Sequence, residues 1–304
     1  MVNDSEILTC NGVEVVDTFA EAFSIKAARL IITAISQRWA QIAATELCGN
    51  ATSVIACDVE AAIERKLDEQ ETPDGRPGVS VLAFAFSRDG LEQALRKRVG
   101  QCVLTCPTTA CYDGLPDEAP DKQIQIGGSL RFFGDGLQIS KQILGRRYWR
   151  IPVMDGEFLC EDKFHTTTGI AGGNLILCGK DLPAALQAAE NAADAMRTCP
   201  DIALPFPGGI VRSGSKVGSK YAKLRASTND HFCPTSRPLT MSELPDGCGA
   251  AYEIVIDGLT QQSIQDAMRA GLHGALGTPG LLRISAGNYG GKLGKFHFHL
   301  KELL

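Results

Sequence analysis

The stretch Val79-Ser-Val-Leu-Ala-Phe-Ala-Phe86, running through Ser87-Arg-Asp-Gly90 into Leu91, Ala94, Leu95 and Val99, decides the fold class. Its first part is a short apolar run that reads as a buried strand, and its second repeats apolar residues at helical spacing. Cys102–Thr105 reads as the next strand. The unit then recurs. Asn174–Cys178 leads into a helix carrying Leu182, Leu186, Ala189, Ala193 and Met196. Tyr252–Ile256 leads into a helix carrying Ile264, Ala267, Met268 and Leu272, and then into Leu281–Ser285. Helices of about three turns between strands, with hairpin-like stretches at Leu130–Phe133 and Tyr148–Val153, predict an α+β fold built from split βαβ units of the ferredoxin-like kind. A doubly wound dinucleotide fold is the rival, and no GxGxxG follows any strand.

Upstream, Glu71-Thr-Pro-Asp-Gly-Arg-Pro-Gly78 is too rich in Pro and Gly for continuous helix or strand. Thr18 and Glu21 are spaced as a capping box, and Phe19, Phe23, Ala27, Leu30, Ile31 and Ala34 follow at helical spacing. This predicts a helix from Thr18 to Ile35, continuing through Trp39 and Ile42 towards Gly49. The pattern breaks near Gly145-Arg-Arg-Tyr-Trp-Arg150, which predicts an N-terminal lobe of residues 1–150 and a C-terminal lobe of residues 151–304. That matches the two domains expected of 304 residues.

The formal charge of −5 argues against general nucleic-acid affinity, which needs a basic surplus. The longest apolar run, Val79–Phe86, is far short of the ~20 residues that span a bilayer. Met1-Val-Asn-Asp-Ser-Glu6 is acidic and leads into no signal-peptide core, so a cytoplasmic protein is expected. Eleven cysteines form an odd set without a CxxC. They read as small buried hydrophobes rather than a disulfide framework, and Cys102, Cys106 and Cys111 read so rather than as a metal cluster.

Three Gly-rich segments are candidates for ligand contact. The first, Leu204-Pro-Phe-Pro-Gly-Gly-Ile-Val-Arg-Ser-Gly-Ser-Lys-Val-Gly-Ser-Lys220, repeats Gly-Ser-Lys. Glycines let backbone N–H groups approach an anion, and serines and lysines add donors and charge. It is no Walker loop, because Ser215 stands where the lysine belongs. A carboxylate or phosphate fits it; an ordinary surface loop is the alternative. The others are Ser285-Ala-Gly-Asn-Tyr-Gly-Gly-Lys-Leu-Gly-Lys295 and Thr168-Gly-Ile-Ala-Gly-Gly-Asn174. Glu253 stands out in Tyr252-Glu-Ile-Val-Ile256. Alternation puts Tyr252, Ile254 and Ile256 on one face and Glu253 with Val255 on the other. A carboxylate in so apolar a strand gains proton affinity, which suits acid–base work; a salt-bridged or solvated carboxylate is the alternative. His297 and His299 share a side of their strand, either as a ligand pair or on a solvated face. His231 and Cys233 sit in a polar loop without motif support.

Taken together these stretches resemble one family, the formylmethanofuran:tetrahydromethanopterin formyltransferases. The resemblance runs in order through Asn11-Gly-Val-Glu-Val-Val-Asp-Thr-Phe-Ala-Glu-Ala-Phe23, Glu71–Gly78, Gly100–Thr108, Phe133-Gly-Asp-Gly136, Ala171–Asn174, Pro205–Val211, Ser213–Gly218, Ala226–Asn229, Tyr252–Ile256 and Ile284–Gly294. Phe164-His165-Thr166 and Leu47-Cys-Gly-Asn50 depart from the family pattern. The resemblance implies two ferredoxin-like lobes from an internal duplication and a homotetramer, with the site near lobe and subunit contacts. It implies reversible formyl transfer between formylmethanofuran, or a methanofuran-like carrier, and N5 of tetrahydromethanopterin, in methanogenesis or another one-carbon metabolism. Glu253 matches the family's strand glutamate and is the expected catalytic residue. Both substrates carry acidic tails, so Ser213, Ser215, Lys216, Gly208, Gly209, Asn229, Asn288 and Lys292 are the expected substrate contacts. Formyl transfer has no net electron change, so no tightly bound cofactor is expected and both carriers are co-substrates. A non-catalytic carrier-binding subunit, assembled with other formylmethanofuran-processing proteins, is the alternative.

Overall fold

The computed structural model describes residues 7–115, 122–214, 229–292 and 294–304. They form two compact units: one joins the N-terminal segment through Ser24 to Ile170–Leu304, and the other is Ile25–Gly169. The fold is α+β.

The chain opens on an antiparallel hairpin, β1 (Ile7–Cys10) and β2 (Val13–Val16), turned by Asn11 and Gly12 at positive φ. β3 (Phe19–Thr33) follows, and it is a strand where spacing predicts a helix. The misreading has a geometric source. Phe19, Phe23, Ala27 and Ile31 are four apart, which keeps residues near one face of a helix and on one face of a strand equally well. Strand neighbours on both sides then decide: Lys26–Thr33 pairs with β5, and Leu30–Thr33 also with β6. The helix starts later, as α1 (Gln37–Cys48).

In the Ile25–Gly169 unit, α1 leads to β4 (Glu60–Leu67), β5 (Gly78–Ala85), α2 (Arg88–Arg98) and β6 (Ala110–Asp113). The sheet order is β4-β5-β3-β6, with every neighbour antiparallel. Ser87 caps α2 by accepting from Gly90 N–H. Ala40, Ala43, Ala44 and Leu47 of α1, with Leu91, Ala94 and Leu95 of α2, share one core with Leu30, Ile32, Val79 and Val81. Cys102–Thr105 is not a strand: Val99–Val103 winds on from α2 in a wider turn, closed by Leu104 N–H on the Val99 carbonyl at 2.9 Å. The Thr109 hydroxyl then donates to the Val103 and Cys106 carbonyls, and the strand begins at Ala110. Cys111 lies in the core, while Cys102 and Cys106 pack half-buried against it.

The unit continues through β7 (Gln123–Gln125), α3 (Gly127–Leu130), β8 (Ile139–Ile143), β9 (Arg146–Val153), β10 (Gly156–Glu161) and β11 (Lys163–His165). Leu130–Phe133, expected as a hairpin, is helical. The compact units divide at Ser24/Ile25 and Gly169/Ile170, while the seam expected at residue 150 falls inside β9, which pairs with β8 and β10.

In the other unit, β12 (Thr167–Gly179), α4 (Leu182–Met196), β13 (Ile202–Ala203), β14 (Ala250–Gly258), α5 (Gln261–Leu276) and β15 (Leu281–Ser285) follow in turn. The order is β13-β14-β12-β15, again antiparallel throughout. β15 adds β2 in parallel, and β16 (Phe296–His299) pairs with Phe19–Ala22 of β3. Ala188, Ala189, Ala192 and Ala193 of α4 meet Ile264, Met268 and Leu272 of α5 over Leu175, Leu177, Ile254 and Ile256. Residues 204–249 connect β13 to β14, whereas the matching β4–β5 connection is only 68–77. The site is built on that longer connection.

Candidate functional site

β14 turns Ile254 and Ile256 into the helix-covered core, so its alternation delivers Glu253 to the opposite face. Glu253 is flanked on both sides. Ile176 of β12 is its direct cross-strand partner. On the other side Val211 exchanges both backbone hydrogen bonds with it: Val211 N–H to the Glu253 carbonyl at 2.8 Å, and Glu253 N–H to the Val211 carbonyl at 3.1 Å. That bridge brings Ser213, two residues on, to the carboxylate. The Ser213 hydroxyl donates to Glu253 Oε2 at 2.9 Å, and Asn229 Nδ2 donates to the same oxygen at 2.7 Å. Asn229 Nδ2 also lies 3.3 Å from Ser213 Oγ, so the three side chains form one triangle. Oε1 accepts no hydrogen bond from the described residues.

Burial pushes the Glu253 carboxyl above the ordinary glutamate range, and the Ser213 and Asn229 hydrogen bonds only partly oppose it. Among the described residues no cation forms an ion pair with it. The carboxyl opens on a small pocket of about 30 Å³ lined by Ile176, Val211, Ser213, Asn229, Phe232, Cys233, Ala251 and Tyr252. That volume takes one water or a group of that size. A larger pocket of about 380 Å³, between Gln93, Arg96, Lys97, Ser129 and Phe133, contains none of the expected residues and no carboxylate.

The remaining expected residues separate. Gly208 (φ 64°) and Gly209 (φ 78°) turn the chain back towards β14, in backbone geometry that side chains resist. Arg197 clamps this turn by donating to the Gly208 carbonyl. Ser215 and Lys216 lie outside the described residues. Asn288 donates to Thr18 Oγ1 and the Phe19 carbonyl and accepts from Gly290 N–H, so its amide shapes its own loop. Lys292 is exposed.

The C-terminal Gly-rich loop does bind an anion, but the anion is the protein's own. Glu21 Oε2 accepts from Tyr289 N–H at 2.6 Å and Gly291 N–H at 2.9 Å, and Oε1 from Gly294 N–H at 2.6 Å. The residue expected to cap a helix therefore fills the cradle expected for a ligand. The third Gly-rich segment is strand β12 with a bulge between Ile170 and Gly173, and Asn174 is bonded in both directions to Gly287. His297 and His299 share a face as expected, with the Phe19 ring against both, at 4.7 and 5.2 Å. Among the described residues no three His, Cys, Asp or Glu side chains converge as a metal site requires.

Ile176, Val211 and Phe232 were not expected in the site. Ile176 carries no local signal, because it reads as an ordinary buried strand residue. Val211 is recognisable only through its bridge to Glu253.

Comparison with known proteins places these features. The family model for formylmethanofuran-tetrahydromethanopterin formyltransferase matches residues 8–153, and the model for its proximal lobe matches residues 156–303. The curated formylmethanofuran–tetrahydromethanopterin formyltransferase of Methylobacillus flagellatus is 56% identical, over 97% of this chain and 99% of its own. A component of the formyltransferase/hydrolase complex of Methylorubrum extorquens is 52% identical, over 97% of both chains. The solved formyltransferase of Methanosarcina barkeri superposes with a TM-score of 0.91 at 50% identity, covering 98% of this chain and all of that one. A chain of the Methylorubrum extorquens complex, solved with methylofuran, gives 0.93 at 49% identity, covering 98% and 99%.

Proposed function

Because the chain belongs to the formylmethanofuran–tetrahydromethanopterin formyltransferase family, we propose that it is a formyltransferase moving a formyl group reversibly between formylmethanofuran, or a methanofuran-like carrier, and N5 of tetrahydromethanopterin. The observation that carries the mechanism is Glu253: a carboxyl with raised proton affinity, one oxygen held by Ser213 and Asn229 and the other unengaged by described groups. The two donors occupy Oε2, so the proton of the neutral acid belongs on Oε1.

Pterin N5 attacks the formyl carbon, and the carbonyl oxygen takes up negative charge as the centre becomes tetrahedral. The Oε1–H group donates to that oxygen, supplying a hydrogen bond that strengthens as charge develops. Collapse breaks the bond to the carrier nitrogen. The proton lost from N5 is the one the departing amine needs, and Glu253 passes it across, ending as it began. The formyl group suits the small pocket, while the carrier bodies lie outside it. The acidic tails call for cations, and Lys216 and Lys292 are the proposed contacts, with Ser215 a hydroxyl donor beside Lys216. Lys216→Ala raises KM more than it lowers kcat on this reading.

The fold reading is two ferredoxin-like lobes related by duplication, supported by the same βαββαβ order and antiparallel pairing on each side. The two family models meet between residues 153 and 156, in support of ancestral halves 1–150 and 151–304, although the compact units are bounded elsewhere. A cytoplasmic homotetramer without a tightly bound cofactor completes the proposal; no helix among the described residues is long and apolar enough to cross a membrane.

The test is transfer itself: purified protein with formylmethanofuran and tetrahydromethanopterin, followed by the ultraviolet change on N5-formylation. Turnover is expected. The Methylorubrum extorquens relative favours a second reading, a subunit working with other formylmethanofuran-processing proteins. Carrier binding without turnover by the purified chain, with turnover restored by added partner subunits, would select it.

A further inference from the structure

The C-terminal Gly-rich loop folds onto the sheet face that carries Glu253. Ile254 of β14, Leu175 and Leu177 of β12, Ile284 of β15, and Ala20 and Ala22 of β3 all enter the helix-covered core. Alternation therefore puts Glu253, Asn174, Ile176, Ser285 and Glu21 on the opposite face. Register aligns them. Glu253 stands opposite Ile176, and Ile176 stands opposite Ser285, the last residue before the loop. Asn174, two residues from Ile176 on the same face, is the diagonal neighbour of Glu253, at ~7–8 Å.

Two buried side chains on that face hold the loop. Asn174 Oδ1 accepts from Gly287 N–H at 2.6 Å, and Asn174 Nδ2 donates to the Gly287 carbonyl at 3.1 Å. Glu21 accepts from the N–H groups of Tyr289, Gly291 and Gly294. Gly290 and Gly291, each at φ 71°, supply the turn between these anchors. The backbone around Tyr289 is thus fixed, yet Tyr289 keeps 59% of its surface. Among the described residues its side chain makes no hydrogen bond and no ring contact.

The aromatic side chains nearer Glu253 are already committed. Phe232 packs against the cluster of Ile176 and Leu244, and Tyr252 packs against the helix-covered core. Tyr289 is different: a large amphipathic ring, uncovered, on a backbone anchored beside the carboxyl. A ring whose backbone is fixed in advance loses little freedom when a flat ligand stacks on it.

We propose that Tyr289 is the stacking platform for the heteroaromatic ring next to a substrate's reacting nitrogen. This rests on the formyltransferase reading. Two rings share that chemistry, the pterin and the furan of the formyl carrier. The pterin is the one assigned. Its N5 is itself a ring atom, so bringing N5 to the formyl carbon also fixes the flat pyrimidine ring fused beside it. Tyr289 receives that ring, while Glu253 meets the oxygen of the formyl group.

The test compares the full-length parent with Tyr289→Phe, Tyr289→Leu and Tyr289→Ala. Steady-state kinetics vary each substrate in turn, and calorimetric titration measures Kd for tetrahydromethanopterin alone. Tyr289→Ala should raise KM and Kd for the pterin roughly tenfold, the scale of one lost aromatic stack. Its kcat and its KM for formylmethanofuran should stay within about twofold, because the lost interaction serves binding of one substrate. Tyr289→Leu, bulky but not flat, should follow Tyr289→Ala, and Tyr289→Phe should follow the parent. A rise confined to the KM of formylmethanofuran overturns the pterin assignment in favour of the furan. Equal losses for both substrates, a changed assembly state in light scattering, or no change in Tyr289→Ala overturns the platform. A parent that turns over normally beside an unchanged Tyr289→Ala sinks this inference alone. A parent that neither binds nor turns over the pterin sinks the formyltransferase reading and this inference with it.

Discussion

Glu253 holds its proton through burial, and Ser213 and Asn229 loosen that hold by donating to the ionised form. Removing either donor therefore raises the carboxyl's pKa further. Asn229→Ala should move the limb of the pH–kcat profile that reports this group to higher pH, measured by steady-state kinetics across pH; a shift to lower pH would contradict the assignment. Glu253→Gln keeps the shape and removes the transferable proton. It should lower kcat by ~10²–10³ with KM nearly unchanged, the loss typical of one oxyanion donor. A loss under about threefold would contradict the assignment of Glu253 on that same scale. Linkage gives an independent check. The folded-state pKa is raised above the unfolded value, so the folded chain binds this proton more tightly. The stability it contributes is full below the ordinary glutamate range and is lost as pH rises through the folded pKa. Glu253→Gln should therefore gain stability relative to the parent protein between pH 5 and pH 8, read by urea unfolding at both. Alternation along Tyr252–Ile256 was enough to set Glu253 on the face away from Ile254 and Ile256. The choice between a solvated and a buried carboxylate needed Val211 and Asn229, which reach it from a distant part of the chain.

At the scale of elements, the C-terminal Gly-rich loop is held by a strand on the other end of the sequence. Glu21 receives three backbone N–H groups of residues 289–294, and hydrogen bonds to a charged group contribute ~1.5–3 kcal/mol each at most. Glu21→Ala should cost at least ~2 kcal/mol. It should also abolish amide-exchange protection at Tyr289, Gly291 and Gly294, while Gly78–Ala85 keeps its own. The α4–β12 contact is equally local in effect. A Cβ on Gly179 would stand 2.5 Å from the Ala185 backbone nitrogen and 2.7 Å from its Cα, and neither can move without shifting α4. Gly179→Ala should lower stability by ~1–3 kcal/mol in denaturant melts. Helices α2, α4 and α5 were legible because their apolar spacing fits the helical period and no other. β3 was not, because a spacing of four serves both periods and Ala-rich sequence carries little β preference.

For the whole molecule, the N-terminal segment is the notable economy of the fold. Residues up to Ser24 supply β2 to β15, the Phe19–Ala22 partner of β16, and Glu21 to the C-terminal loop. A chain starting at Ile25 should therefore lose exchange protection over Leu281–Ser285 and Phe296–His299 while retaining it over Arg88–Arg98. Equal loss in both regions would show that the two units do not hold their cores separately. Of the two connections at corresponding places in the βαββαβ orders, one spans residues 68–77, and the other spans residues 204–249 and carries Ser213 and Asn229, the two donors to Glu253.

Residue order alone determined the α+β class, the recurring strand–helix–strand unit and the family resemblance, and it singled out Glu253 as a candidate. All of these rest on local period or on residue types in sequence order, and neither needs a partner from afar. Tertiary structure decided what β3 is, where the compact units divide, and which Gly-rich cradle is already filled. Those outcomes turn on pairing between segments far apart in the chain: β3 against β5 and β6, Val211 against Glu253, and Glu21 against residues 289–294. A backbone N–H looks the same in sequence whether it awaits a ligand's carboxylate or already holds the protein's own.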